Sequence, residues 1–139
     1  MARIKHIALH TEDPSKTAEF YKEVFGLDEL RREPRDTGAE GVWLTDGYIY
    51  FAILKMGSED APNLGEGPST VKGIHHIGFK VDDLDEACDR LEKAKGRAIT
   101  TREGMDTMAP GSPRNFEMKW SGPDDVVIDI SHTGWLTSE

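Results

Sequence analysis

The chain has 139 residues and a formal charge of −9, from 17 Lys plus Arg against 26 Asp plus Glu. That length suits one compact core, and the acidic balance without a basic run argues against nucleic acid and anionic membrane surfaces as partners. A single cysteine rules out an internal disulfide, and no apolar stretch has signal or membrane-spanning length, so a cytoplasmic location is expected.

Residues 3–11 alternate as a strand, and Asp13 with Pro14 reads as a helix start, because Asp caps free amides and Pro suits the first turn. Ala18, Tyr21, Val24 and Phe25 recur at helical spacing, and Gly26 is a natural stop. Three short strands are predicted over 28–34, 41–45 and 48–55, with Asp46 and Gly47 as a tight hairpin turn. Residues 56–72 (MGSEDAPNLGEGPSTVK) are rich in Gly, Pro and charge and read as an exposed linker. A second strand–helix unit follows at 73–81 and 84–95, opened by Asp83 and Glu86 in capping-box spacing and ended by Gly96. Its apolar stripe is Leu84, Ala87, Cys88, Leu91 and Ala94, which makes Cys88 a core thiol. Strands near 97–103, 115–120 and 126–131 complete the unit, around a loop at 104–113.

The two halves are one pattern written twice. Laying residues 3–25 over 73–95, an offset of seventy, places His6 on His76, Ile7 on Ile77, Leu9 on Phe79 and Asp13 on Asp83. The expectation is a single α+β domain, 1–139, of two βαβββ modules, 1–55 and 73–139, joined by the linker 56–72.

Strand alternation then assigns faces. His6, Ala8 and His10 oppose Ile7 and Leu9, and His76, Gly78 and Lys80 oppose Ile77, Phe79 and Val81. The apolar faces cover the helices, leaving the histidine faces to line the inside of the sheet. Asp129 alternates with Ile128 and Ile130, a costly place for a carboxylate unless it is paired or binds metal. His6, His76 and Asp129 together make a two-histidine, one-carboxylate set that suits Fe(II) or Mn(II), with Zn(II) or Ni(II) also compatible. The alternative is that each is a hydrogen-bonded structural residue.

Further candidates are weaker. His10 shares the His6 face, as a partner to a ligand or a general base, or else as a strand-end surface histidine. Lys80 reads as a solvated strand end, and His75 falls on the helix side by parity unless a bulge intervenes. Tyr50 offers a hydroxyl if it faces inward; otherwise it packs on a helix. Glu117 reads more readily as a strand-surface charge partner of Lys119 than as a catalytic base. Trp135 is placed to fold over the cavity rim or to pack at a subunit contact, and His132 is a substitute ligand should Asp129 fail.

The segments IKHIALHTEDPSKTAEFYKEVFGL, GIHHIGFKVDDLDEA and GPDDVVIDI resemble the vicinal oxygen chelate superfamily, the group of glyoxalases, bleomycin-resistance proteins and extradiol dioxygenases. The resemblance implies a U-shaped mixed sheet around a central cavity, and a homodimer acting on a small molecule. It also implies a divalent ion on His6, His76 and Asp129 that chelates neighbouring substrate oxygens. Two departures stand out. Glyoxalases and epimerases place a further Glu or Gln on the last strand of the first module, where this chain offers Tyr50, Phe51 or Ala52, and Asp129 stands where Glu is usual. A three-ligand site is similar to those of the extradiol dioxygenases and the fosfomycin thiol transferases rather than to that of glyoxalase I. The alternative within the family is a metal-free small-molecule binding protein of the bleomycin-resistance type.

Overall fold

The computed structural model describes residues 1–33, 40–55, 72–99 and 117–136. Nearly all of the expected linker, the loop 104–113 and the far part of the strand expected at 97–103 lie outside the described residues. The first half runs β1 (Arg3–His10), α1 (Pro14–Phe25), β2 (Asp28–Glu33), β3 (Gly41–Thr45) and β4 (Tyr50–Leu54). The second runs β5 (Gly73–Lys80), α2 (Leu84–Lys93), β6 (Arg97–Ala98), β7 (Met118–Ser121) and β8 (Val127–Ser131). Among the described residues, no helix is long and apolar enough to cross a membrane.

Both helices begin as their side chains dictate. The Asp13 carboxylate accepts from the Lys16 amide at 3.0 Å, with Pro14 in the first turn, and Asp83 accepts from the Glu86 amide at 2.9 Å. Gly26 closes α1 in the left-handed region, at φ 69°. The β3–β4 turn departs from the two-residue hairpin expected at Asp46 and Gly47. Thr45 pairs with Tyr50, so the connection spans Asp46 to Ile49; Asp46 accepts from the amides of Tyr48 and Ile49 at 2.8 and 2.7 Å and holds it open. The apolar stripe of α1 is also narrower than its spacing suggests: Val24 and Phe25 are exposed, and within the helix only Pro14 and Ala18 are buried.

All eight strands form one mixed sheet in the order β2-β3-β4-β1-β5-β8-β7-β6. The two modules join at its centre, where β1 and β5 run antiparallel. Each module adds its last strand parallel to its first, β4 to β1 and β8 to β5, so the halves repeat one topology about the centre. Helix α1 covers Val42, Leu44 and Ile53 through Ala18. Helix α2 covers Met118, Trp120 and Ile130 through Leu84 and Cys88, the buried thiol expected from the stripe.

At the central seam His6 pairs with Gly78, Ile7 with Ile77 and Ala8 with His76. An extra residue bulges out on either side of this short ladder. Ile4 pairs with Phe79 next to the His6–Gly78 pair, leaving Lys5 unmatched, and Leu9 pairs with Ile74 next to the Ala8–His76 pair, leaving His75 unmatched. Lys5 and His75 are themselves seventy residues apart, so each bulge immediately precedes an inward histidine. This pseudo-two-fold seam places His6 and His76 on one face of the sheet, across the axis from each other, within a single chain.

Candidate metal centre

Three inward side chains converge at the seam. His6 and His76 come from β1 and β5, and Asp129 comes from β8, where it pairs with Gly78. His6 is 3 % exposed, His76 2 % and Asp129 0 %. Their ligand atoms all lie within 4.8 Å of one another, and His76 Nε2 is 3.1 Å from both His6 Nε2 and Asp129 Oδ2. Neighbouring ligands on one octahedral ion with bonds of about 2.1 Å stand about 3 Å apart, which matches the two 3.1 Å separations made by His76.

Protons sort the donor set. The Tyr50 carbonyl can only accept, so His6 Nδ1 donates to it across 2.9 Å and His6 Nε2 is left with a bare lone pair. Burial, and then the neighbouring His76, lowers the His6 pKa to about 4, so the ring is neutral. His75 Nδ1 lies 2.8 Å from His76 Nδ1, a contact in which one ring donates and the other accepts. Burial pushes the Asp129 carboxyl up, but hydrogen bonding to His76 and the adjacent Lys119 ammonium outweigh it and hold the group well below the usual carboxylate range. A lone pair on His6 and an ionised carboxylate thus face one nitrogen of His76. That arrangement is held either by a proton on His76 Nε2 or by a cation bound to all three, so the residues fit a divalent ion.

The sequence model of the Glyoxalase/Bleomycin resistance protein/Dioxygenase superfamily matches residues 3–110. The chain belongs to that superfamily. Human mitochondrial methylmalonyl-CoA epimerase is 29 % identical over 118 residues, 84 % of this chain and 66 % of that protein. The YaeR protein of Escherichia coli K12 is 24 % identical over 94 % of this chain and 95 % of its own. Among solved structures, a methylmalonyl-CoA epimerase from Streptomyces coelicolor, in complex with 2-nitronate-propionyl-CoA, superposes with a TM-score of 0.60 at 24 % identity, covering 92 % of this chain and 94 % of that one. The open eight-stranded mixed sheet with two helices is the fold shared with such relatives.

Register settles the position at which glyoxalases and epimerases of the superfamily usually place a further Glu or Gln. Asp129 stands opposite Gly78, and in the first module the equivalent of Gly78 is Ala8, which stands opposite Ala52. Ala52 is 1 % exposed and packs with Ala8 and Trp43, so the fourth position is filled by a methyl group. The same symmetry relates Trp43, opposite Ala52, to Lys119, opposite Asp129.

Several weaker expectations change here. His10 is 6 % exposed, not a surface histidine. His75 escapes strand parity through its bulge and lies beside His76 instead of beneath a helix. Glu117 and Lys119 are not a strand-surface pair: Lys119 is 7 % exposed and puts Nζ 2.7 Å from each Asp129 oxygen, with Glu117 farther off at 3.6 Å. Burial, then the Asp129 charge, raises the Glu117 pKa, and its Oε1 accepts from the Trp135 indole at 2.5 Å. His132 is exposed and Lys80 half-buried. Tyr50 tilts toward the His6 ring, with centroids 5.4 Å apart.

The Lys119 contact escapes single-strand alternation, which sees only Glu117 two residues away. A hairpin from β7 to β8 about the short 3₁₀ turn Pro123–Asp125 pairs Lys119 with Asp129, so strand pairing was the signal that could have found it.

Trp135 folds back over the centre and stacks on the His6 ring, with centroids 5.0 Å apart and planes at 22°. Gly78 makes room for both rings. A Cβ there would lie 2.7 Å from His6 Cβ and 2.9 Å from the Trp135 ring. Gly78→Ala should therefore lose about 1–3 kcal/mol of stability in urea unfolding. An unchanged midpoint would show that the stack relaxes freely and does not pin His6.

Proposed function

We propose that this chain is a metal-dependent enzyme acting on a small molecule with two neighbouring oxygens. The observation that carries the reading is the convergence of His6 Nε2, His76 Nε2 and the Asp129 carboxylate in one buried cluster, with the His6 proton committed to the Tyr50 carbonyl. His6, His76 and Asp129 would hold the ion. When bound, it supplies a Lewis acid that stabilises negative charge developing on a substrate oxygen.

The remaining work falls to this chain's own side chains. The Tyr50 carbonyl fixes the tautomer and tilt of His6, and His75 does the same for His76. Trp135 covers one face of His6 and keeps water from it. Glu117, its position fixed by the Trp135 indole, is suited as a carboxylate to accept a proton from a substrate beside the cluster while Lys119 stays on Asp129.

Ala52 in the fourth position supports a three-ligand centre of the dioxygenase or thiol-transferase kind over the glyoxalase I kind. The methylmalonyl-CoA epimerases among the relatives make acyl-CoA thioesters the substrates to try first.

Binding to the native state alone raises its apparent stability, by about 2.7 kcal/mol at a free concentration of 100 times Kd. Mn(II), Fe(II) or Zn(II) should accordingly raise the melting temperature of the wild type by several degrees and that of His76→Ala by much less. Equal shifts would mean nonspecific binding. They would favour the second reading, a metal-free binding protein, which one observation supports by itself: Lys119 already neutralises Asp129.

A further inference from the structure

We infer that Lys119 is the resident cation of this centre, competing with a divalent ion for Asp129 and setting how readily the site fills. The inference rests on the metal-dependent reading above and adds what governs occupancy.

The Lys119 ammonium sits 2.7 Å from both Asp129 oxygens, on a side chain 7 % exposed, against a carboxylate with no exposure at all. Asp129 Oδ2, the oxygen nearest His76, is one of the two it holds. A divalent ion bound by His6, His76 and Asp129 must take part of that oxygen's charge while lying within a few ångströms of the ammonium. In a buried cluster screened by little water, like charges at that distance oppose each other strongly. The ion and the ammonium are therefore alternatives at Asp129.

The fold supplies a place for the displaced ammonium. Glu117 lies on the same side of the sheet, two residues before Lys119, with Oε2 3.6 Å from Nζ. Transfer of Nζ from Asp129 to Glu117 frees the ligand oxygen and keeps the lysine charge paired. Trp135 holds the other Glu117 oxygen, so the acceptor is already oriented. In the first module Trp43 occupies the equivalent position, so no lysine stands opposite Ala52 as Lys119 stands opposite Asp129.

Calorimetric titration with Mn(II) tests the inference on four proteins: wild type, Lys119→Met, Glu117→Gln and the double variant. Lys119→Met removes the charge at similar length and should bind at least tenfold more tightly than wild type, with a larger rise in melting temperature on Mn(II) addition. Glu117→Gln should weaken binding in the wild-type background and change little once Lys119 is gone. If Lys119→Met does not fold, Lys119→Gln keeps a hydrogen-bond donor without the charge and is read in the same way. Binding by Lys119→Met alone, with none in wild type, also supports competition. Equal or weaker binding by Lys119→Met, beside a wild type that does bind, overturns the inference and leaves the metal-dependent reading standing. No binding by either protein overturns both.

Discussion

Asp129→Ala is expected to abolish tight Mn(II) binding and to cost about 3–5 kcal/mol of stability even without metal. The two effects have separate causes. Loss of the carboxylate leaves two histidines, too few donors for a strong site. The stability loss comes from Lys119, whose buried ammonium loses two oxygens at 2.7 Å, with Glu117 farther off at 3.6 Å. Against a typical domain stability of about 5–15 kcal/mol this is a large fraction, so the variant is best compared by urea unfolding at low temperature. Asp129→Glu, the residue usual in the superfamily, should keep metal binding. Calorimetric titration beside the unfolding curves separates the two roles: unchanged Mn(II) affinity in Asp129→Ala would remove Asp129 from the metal centre, whatever its effect on stability.

Acid should unfold this protein through its buried histidines before its carboxylates. His6 has a pKa of about 4 in the fold against 6.5 in an open chain, with burial as the first cause. Between those values the unfolded chain takes up a proton that the folded chain refuses, so stability is full above about pH 6.5 and declines as pH falls toward 4. For this nearly inaccessible ring the complete effect is about 3 kcal/mol. His75 is also lowered to about 4 by burial and then by His76, and pulls the same way. Asp129, held low, loses its contribution only at still lower pH. In the presence of a chelator, urea unfolding at pH 7, 5 and 4 should show a steeper decline for wild type than for His6→Gln. Parallel declines would mean that His6 ionises in the fold as easily as in solution.

Much of this cluster is legible in the sequence. The seventy-residue offset identifies His6 and His76 as equivalent, and period-two alternation puts both on the face away from the helices, where they meet. Asp129 stands out because a carboxylate among isoleucines needs a partner. What stayed hidden depends on how strands pair. The choice among Tyr50, Phe51 and Ala52 required the β1–β4 register, and the Lys119–Asp129 contact required the β7–β8 register. The position of His75 turned on a bulge, which breaks the alternation from which parity is read.

The central seam is built from β1 and β5, the equivalent first strands of the two modules. Its backbone is close to two-fold symmetric, yet the residues lining it are not, since Ala52 and Trp43 on one side answer Asp129 and Lys119 on the other. A flat ligand lodged between these walls has an aromatic neighbour on one side and ionic, proton-bearing neighbours on the other. Its two faces are therefore inequivalent. A duplicated scaffold, symmetric enough to build the cluster, has in this way become an asymmetric environment through differences at two equivalent positions of its lining.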